Sequence, residues 1–336
     1  MQCLVAAVRP LRIEELAEVL AFDFSAGGIP RLNPDWRWED QVEAVLVMSA
    51  CSSLVIVADG DSRIVQFSHF SVKEFLMSHR LAESSGDVSQ YHTKLEPAHT
   101  VLAQACLGAL LRLDDYIDID KVMDFPLAKY AAEHWVKHAQ FENVSSHIKG
   151  GTKCLFDADK AHLAAWFWIY NEDSPGLAIS TTLPEELEAA PLDYAARFGL
   201  CDLAAHLVTE HPEDVHAEHG LEMTPLHASA YHGHFSIFSL LVEHFPNLDL
   251  RGYRDQTPLH RTSYGRHLEI GQRVLDRGAD TNAREVDDCT ALYITALSSL
   301  LECSSSAGRQ FIHQVTLARL RCTWHHNMDG FKSRDY

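Results

Sequence analysis

The chain has 336 residues, 46% apolar and 22% charged, which suits a globular protein of about two domains and excludes a mostly disordered chain. Its 28 Lys and Arg face 47 Asp and Glu, giving a formal charge of −19; a chain of that charge is repelled by phosphate backbones unless its basic residues gather on one face, and the sequence does not obviously gather them. The 21 His would erode that negative charge below neutral pH.

The first ten residues, Met1 to Pro10, hold too short an apolar run for a secretory signal. The most apolar stretches are 42–58, broken by Glu43 and Ser49, and 98–113, broken by His99 and Gln104. Neither reaches the roughly 20 apolar residues of a membrane span. Leu11, Leu16, Val19 and Leu20 fall at helical spacing and predict a helix over 11–21, and a second is expected over Trp38–Met48. Leu54–Ala58 and Ile64–Phe67, parted by Asp59-Gly60-Asp61, read as a β-hairpin. Ser71 and Glu74 then form a capping box, with Phe70 and Phe75 as its hydrophobic staple. Helix, helix, hairpin, helix is the order of a winged-helix-like module, placed at 1–82.

Three strings carry more than the order does: Arg9-Pro10-Leu11, Cys51-Ser52-Ser53-Leu54-Val55, and Phe67-Ser68-His69-Phe70-Ser71-Val72-Lys73-Glu74-Phe75-Leu76. Over roughly residues 3–80 they resemble the winged-helix segment that follows the NACHT nucleotide-binding domain in fungal NLR-like proteins, a family whose members often carry ankyrin repeats further on. A helical segment, 96–170, comes next, with helices from Pro97 to about Arg112, from Pro126 to Gln140, and over Ala161–Tyr170 with Trp166, Phe167 and Trp168. Pro175, Gly176 and Pro184 mark 171–189 as a linker.

Beyond it the sequence repeats. Thr224-Pro225-Leu226-His227 recurs 33 residues on as Thr257-Pro258-Leu259-His260 and 33 further as Thr290-Ala291-Leu292-Tyr293; a degenerate copy opens at Ala190-Pro191-Leu192-Asp193. Gly199 and Gly233 end the first short helix of their units. Leu240-Leu241-Val242 and Arg273-Val274-Leu275 line the second, and Gly278-Ala279-Asp280-Thr281-Asn282-Ala283 turns the chain out. From Ala190 to Leu297 this resembles the ankyrin repeat, with about four units over 190–301, the first and last degenerate. The resemblance implies that His227 and His260 tie each turn to its Thr as scaffold. It also implies that a protein ligand binds at the hairpin tips and the exposed face of the first helices: Arg251, Tyr253 and Arg254; Arg284, Glu285 and Asp287; Tyr231, His232 and Tyr264. Three departures are visible. Arg266 stands in the slot of Gly233, which predicts a distorted helix end; Phe245-Pro246-Asn247 replaces Gly-Ala-Asp; and 302–336 is a divergent tail, read as a disordered or mis-spliced end.

The sequence holds little that reads as catalytic chemistry. No G-x-x-x-x-G-K-[ST] occurs, and Gly150-Gly151-Thr152-Lys153 has neither the length nor the preceding strand of a phosphate loop. Ser68 and His69, adjacent on a strand, would point to opposite faces. His134 and His138 lie one helical turn apart, a spacing zinc can use, but Trp135 stands where H-E-x-x-H requires Glu. The eight Cys come no closer than 14 residues, so they read as free thiols of a reducing compartment.

The fold expected is mainly α: winged-helix-like module, helical segment, ankyrin solenoid. The function expected is a non-enzymatic, cytoplasmic interaction scaffold without cofactor or metal, the C-terminal sensor part of a NACHT-type signalling protein, with a NACHT-containing protein as a further partner. The alternative is a winged helix on DNA with ankyrin repeats recruiting a partner. Residues 1–96 carry 8 basic and 14 acidic side chains, and the groove-entering helix at 38–48 has no Lys or Arg, which weighs against it. A third reading is an enzyme built on His134, His138 and distant carboxylates.

Overall fold

The computed structural model describes residues 1–25, 28–32, 42, 45, 53–58, 63–84, 87–113, 125–157, 160–171, 189–218 and 223–302. They belong to two units, Met1–Leu187 and Glu188–Tyr336. The fold is mainly helical, with a small antiparallel sheet in the first unit and repeated helix pairs in the second.

In the first unit, α1 (Gln2–Ala6) is followed by β1 (Leu11–Arg12) and α2 (Ile13–Ala21). The helix expected over 11–21 therefore starts two residues late. Leu11 pairs with Val65 and Arg12 with Ile64, and Leu11 is fully buried, so a non-local strand partner overrides the local spacing. The Glu15 carboxylate accepts the Arg12 N–H at 2.7 Å and so holds the first turn of α2. A short pair, β2 (Phe22–Asp23) with β3 (Arg31–Leu32), follows. The expected hairpin forms from β4 (Val55–Ala58) and β5 (Ile64–Phe67), giving a sheet of order β1-β5-β4. The helix expected at Trp38–Met48 lies outside the described residues but for Val42 and Val45, both helical.

Helix α3 (Phe70–Leu76) is capped by His69, not by Ser71: His69 Nδ1 accepts the Ser71 N–H at 3.2 Å. The staple does not close either, since Phe70 and Phe75 stay 70% and 50% exposed. A short α4 (His79–Ala82) leads to α5 (Leu95–Leu110). Around α5, Ala98, Leu102, Ala103, Cys106, Leu107 and Leu110 are buried on several sides, as befits a central helix. Packed on it are α1, α6 (Ala128–Ala139) and α7 (Val144–Leu155).

Helix α7 was not expected from the sequence, and it absorbs Gly150-Gly151-Thr152-Lys153. Its buried residues Val144, Ile148, Thr152 and Leu155 keep a helical period that the two glycines obscure. Gly151 has a packing reason: a Cβ there would stand 3.0 Å from Leu107 Cδ1. Helix α8 (His162–Asn171) completes the unit, its Trp166 ring edge-on to Trp135 at 5.1 Å and its Nε1–H donating to the Ala132 carbonyl at 3.0 Å. The linker expected at 171–189 lies outside the described residues except at its ends.

The second unit pairs α9 (Pro191–Phe198) with α10 (Cys201–Glu210), α11 (Pro225–His232) with α12 (Phe235–Leu241), and α13 (Pro258–Gly265) with α14 (Leu268–Asp276). Each first helix opens on Pro at its first position, where the missing N–H has no intrahelical acceptor. First helices pack against first helices and second against second, so the repeats stack in register.

The distortion expected at Arg266 is absent. Arg266 adopts the same left-handed conformation (φ 63°) as Gly199 (72°) and Gly233 (80°), and the following N–H still reaches back, from His267 to the Thr262 carbonyl at 2.9 Å. The glycine has moved one residue for a different reason: a Cβ on Gly265 would lie 2.1 Å from the Tyr231 carbonyl oxygen of the preceding repeat. Phe245-Pro246-Asn247 also keeps the geometry it seemed to break. Asn247 Oδ1 accepts the Asp249 N–H at 2.9 Å, as Asp280 Oδ1, 33 residues on, accepts that of Asn282 at 2.9 Å. The fourth unit opens with α15 (Ala291–Glu302), which continues past the point where its predecessors end. The tail expected to be disordered lies, from 303 onward, outside the described residues.

Candidate protein-binding surface

His227 and His260 are buried and anchor the scaffold as expected. His227 Nδ1 accepts the Thr224 N–H at 3.4 Å and lies 3.0 Å from its hydroxyl, while Nε2–H donates to the Leu250 carbonyl at 3.2 Å. His260 repeats this with Thr257 and, 3.1 Å away, the Cys289 carbonyl. Both nitrogens are engaged by one neutral tautomer, and burial draws the His227 pKa down to about 4.

On that scaffold, Arg197, Tyr231 and Tyr264 occupy one repeated position, the seventh residue of α9, α11 and α13, and the side chain three residues earlier shares their face. In the third repeat that side chain is Arg261. Its guanidinium lies over the Tyr231 ring, 4.1 Å from the centroid, and donates to Gln256 Oε1 at 3.1 Å. The Gln256 Nε2–H donates a hydrogen bond to Glu285 (2.6 Å), whose other oxygen accepts one from the Tyr264 hydroxyl (2.8 Å). His232 meets Tyr231 edge-on at 5.0 Å. Burial, then the charge of Arg197, draws His232 down to about 4; burial also lowers Arg261. The structure thus brings Tyr231, His232 and Tyr264 together and adds Arg261 and Gln256, which sequence reasoning missed. Arg261 was findable: it fills the slot three residues before Tyr264 that Tyr194 fills before Arg197.

The hairpin tips are arranged differently. Arg251 donates to the Arg284 carbonyl of the next tip at 2.8 Å and to the Asp255 carbonyl at 3.3 Å. Arg254 pairs with Asp287, also one repeat on, and Arg284 pairs with Asp288 at 2.8 Å. These residues fasten one tip to the next, while Tyr253 remains exposed. Glu285 needs correction as a contact residue: it is 4% exposed, and its carboxylate is occupied by Gln256 and Tyr264.

The zinc alternative at His134 and His138 fails on geometry. His138 is enclosed with both nitrogens taken, Nε2 2.9 Å from the Tyr130 hydroxyl and Nδ1 2.8 Å from His99 Nδ1. His134 turns its ring edge onto Tyr130 instead. Among the described residues no group of three or more His, Cys, Asp or Glu could hold a metal. Ser68 and His69 also part ways, Ser68 donating to the Ser53 carbonyl and His69 capping α3. Cys3, Cys106 and Cys289 are buried free thiols, whereas Cys154 and Cys201 are free and exposed. No described helix is long and apolar enough to cross a membrane.

Comparison with known proteins matches these parts. Residues 1–86 fit the winged-helix domain of the GPI inositol-deacylase family, and residues 192–285 fit three copies of the ankyrin repeat. The chain is 27% identical over 256 residues to azaphilone pigments biosynthesis cluster protein L of Monascus ruber, covering 70% of this chain and 52% of that protein. It therefore spans about half the length of that curated relative. The ankyrin repeats support a role in protein interaction.

Proposed function

We propose that this chain is a cytoplasmic, non-enzymatic interaction protein. Its ankyrin array captures a protein ligand on the first-helix face, and its winged-helix module couples that event to a NACHT-type nucleotide-binding ATPase, as in the fungal NLR-like proteins it resembles. One observation carries the reading: Tyr231, His232, Arg261 and Tyr264 meet on one face of stacked helices whose backbone is fixed by buried His–Thr bonds. Aromatic and Arg side chains held rigidly lose little freedom on binding and make effective anchors. The helical state of Gly150–Lys153 supports the non-enzymatic part, because backbone amides bonded within a helix are not free to cradle phosphate.

The test is affinity capture on the immobilised full chain, beside Tyr231→Ala and Tyr264→Ala variants, at a temperature where circular dichroism shows all three proteins folded. A captured protein that is lost with both variants supports the reading, and recovery of a NACHT ATPase through a winged-helix surface supports its signalling half. A ligand indifferent to both tyrosines refutes the array as the binding face. Salt-sensitive binding to duplex DNA would instead favour the transcriptional alternative.

A further inference from the structure

The array is strongly acidic overall, with 17 Asp and Glu against 8 Arg and no Lys between residues 189 and 302. The first helices break that pattern. Over α9, α11 and α13 the acid is Asp193, which is buried and paired with Arg197 at 3.1 Å, while Arg197, His232 and Arg261 supply the basic groups.

Arg261 is the unusual member of the set. It is half-buried, it has no carboxylate partner among the described residues, and its Nε is buried without a hydrogen-bond acceptor. Its contacts are the Tyr231 ring and a neutral amide oxygen. Arg197 lies close enough for its positive charge to add to the cost of charging Arg261, and both act in the same way on His232. A desolvated guanidinium set beside a like charge is held at an electrostatic cost, and an arriving anion removes that cost.

We propose that this face takes a peptide segment of a partner protein that carries a single Asp or Glu, whose carboxylate docks on Arg261 beside Arg197, between the rings of Tyr231 and Tyr264. The inference rests on the array being the binding face and adds the chemistry of its ligand. Peptide is favoured over nucleic acid because the positive spot is small and its surround is acidic. An isolated Asp or Glu flanked by neutral or basic residues fits that field, whereas a chain of regularly spaced phosphates is repelled by the surround.

The experiment selects a phage-displayed library of random short peptides on the immobilised full chain. The expected peptides carry Asp or Glu beside an apolar or aromatic residue. A synthetic version with that acid changed to its amide should bind about 10- to 100-fold more weakly. Arg261→Gln should cost a similar factor towards the acidic peptide and almost nothing towards the amide version, because the two changes remove one interaction. The amide peptide tests the idea on unaltered protein, so a poorly folded Arg261 variant does not spoil it. If the selected peptides lack acids, or amide and acid bind alike, while Tyr231→Ala still abolishes binding, the acidic ligand is refuted and the array reading survives. If no peptide is selected, or binding ignores Tyr231, both fail. Displacement of the peptide by a DNA oligonucleotide at physiological salt would overturn the choice of partner class.

Discussion

Gly265 and Arg266 offer opposed tests of how the third repeat is built. Arg266 holds a left-handed backbone that costs an L-residue about 1–2 kcal/mol, and glycine would recover most of this less its own chain entropy. Since the Arg266 side chain is exposed, Arg266→Gly should stabilise the repeat by about 1 kcal/mol. Gly265→Ala would normally gain about 1 kcal/mol of helix propensity. Here the new methyl would stand 2.1 Å from the Tyr231 carbonyl oxygen, on a backbone that cannot rotate out of the way. Overpacking costs about 1–3 kcal/mol and its upper end applies, so a net loss of about 2 kcal/mol is expected. Amide exchange read by mass spectrometry on peptides covering 258–276 reports both. Exchange should quicken about 30-fold in Gly265→Ala and slow about 5-fold in Arg266→Gly. Slower exchange in Gly265→Ala would refute the close approach, and faster exchange in Arg266→Gly would refute the strained cap.

Other outcomes follow from buried groups. Leu241 is fully buried between stacked helices, so Leu241→Ala should lose about 2–5 kcal/mol in urea unfolding; a change below about 0.5 kcal/mol would place it outside the core. His227 has a folded pKa of about 4 against 6.5 when free, so on acidification the unfolded chain takes up its proton first. Stability is therefore complete above about pH 6.5 and falls towards pH 4, by about 3 kcal/mol from this residue; a His227→Gln variant should show a flatter profile across that window. Equal slopes in both proteins would mean that His227 is not held neutral by burial. Gln256→Ala leaves the Glu285 carboxylate short of a donor inside the array and should cost about 1–3 kcal/mol by thermal unfolding, against little change for Tyr253→Ala at the exposed tip.

Much of the array was legible because its repeat is chemical as well as periodic. Thr-Pro-Leu-His encodes a cap, a helix start, a core residue and a bond to the next loop, and each shows itself in residue identity. The same legibility misled at two departures. Arg266 can occupy a left-handed cap at modest cost, and Asn247 makes the turn that Asp280 makes, so changes of letter were read as changes of shape. At the candidate site, exposed aromatics could be predicted from position within the repeat. The burial of Glu285 and the unpaired state of Arg261 could not, because each depends on a side chain about 30 residues away: Glu285 on Gln256, Arg261 on Tyr231.

The first unit was harder to read, for a reason that α2 makes plain. An amphipathic reading turns charges outward, yet Glu15 and Glu18 both face the interior. Arg9 donates to Glu15 through both Nη atoms at 2.8 Å; Arg112 and the Leu127 N–H each donate to Glu18 at 2.7 Å. Burial raises the Glu18 pKa and those two donors work against the rise. A second polar line crosses the same region: the Val8 N–H donates to the Tyr130 oxygen, which lies 2.9 Å from His138 Nε2, and His138 Nδ1 lies 2.8 Å from His99 Nδ1. Buried ionic and polar pairs of this kind add little net stability over apolar packing, but they penalise every arrangement that leaves one partner unmatched. Four of these contacts, Val8–Tyr130, His99–His138, Arg112–Glu18 and Leu127–Glu18, join residues 39 to 122 positions apart within or beside α1, α2, α5 and α6, so they favour one packing of those helices. Such pairings lie beyond any window of neighbouring residues: the strand partner of Leu11 is Val65, so Leu11 was read into a helix, and the His99 partner of His138, 39 residues away, went unseen.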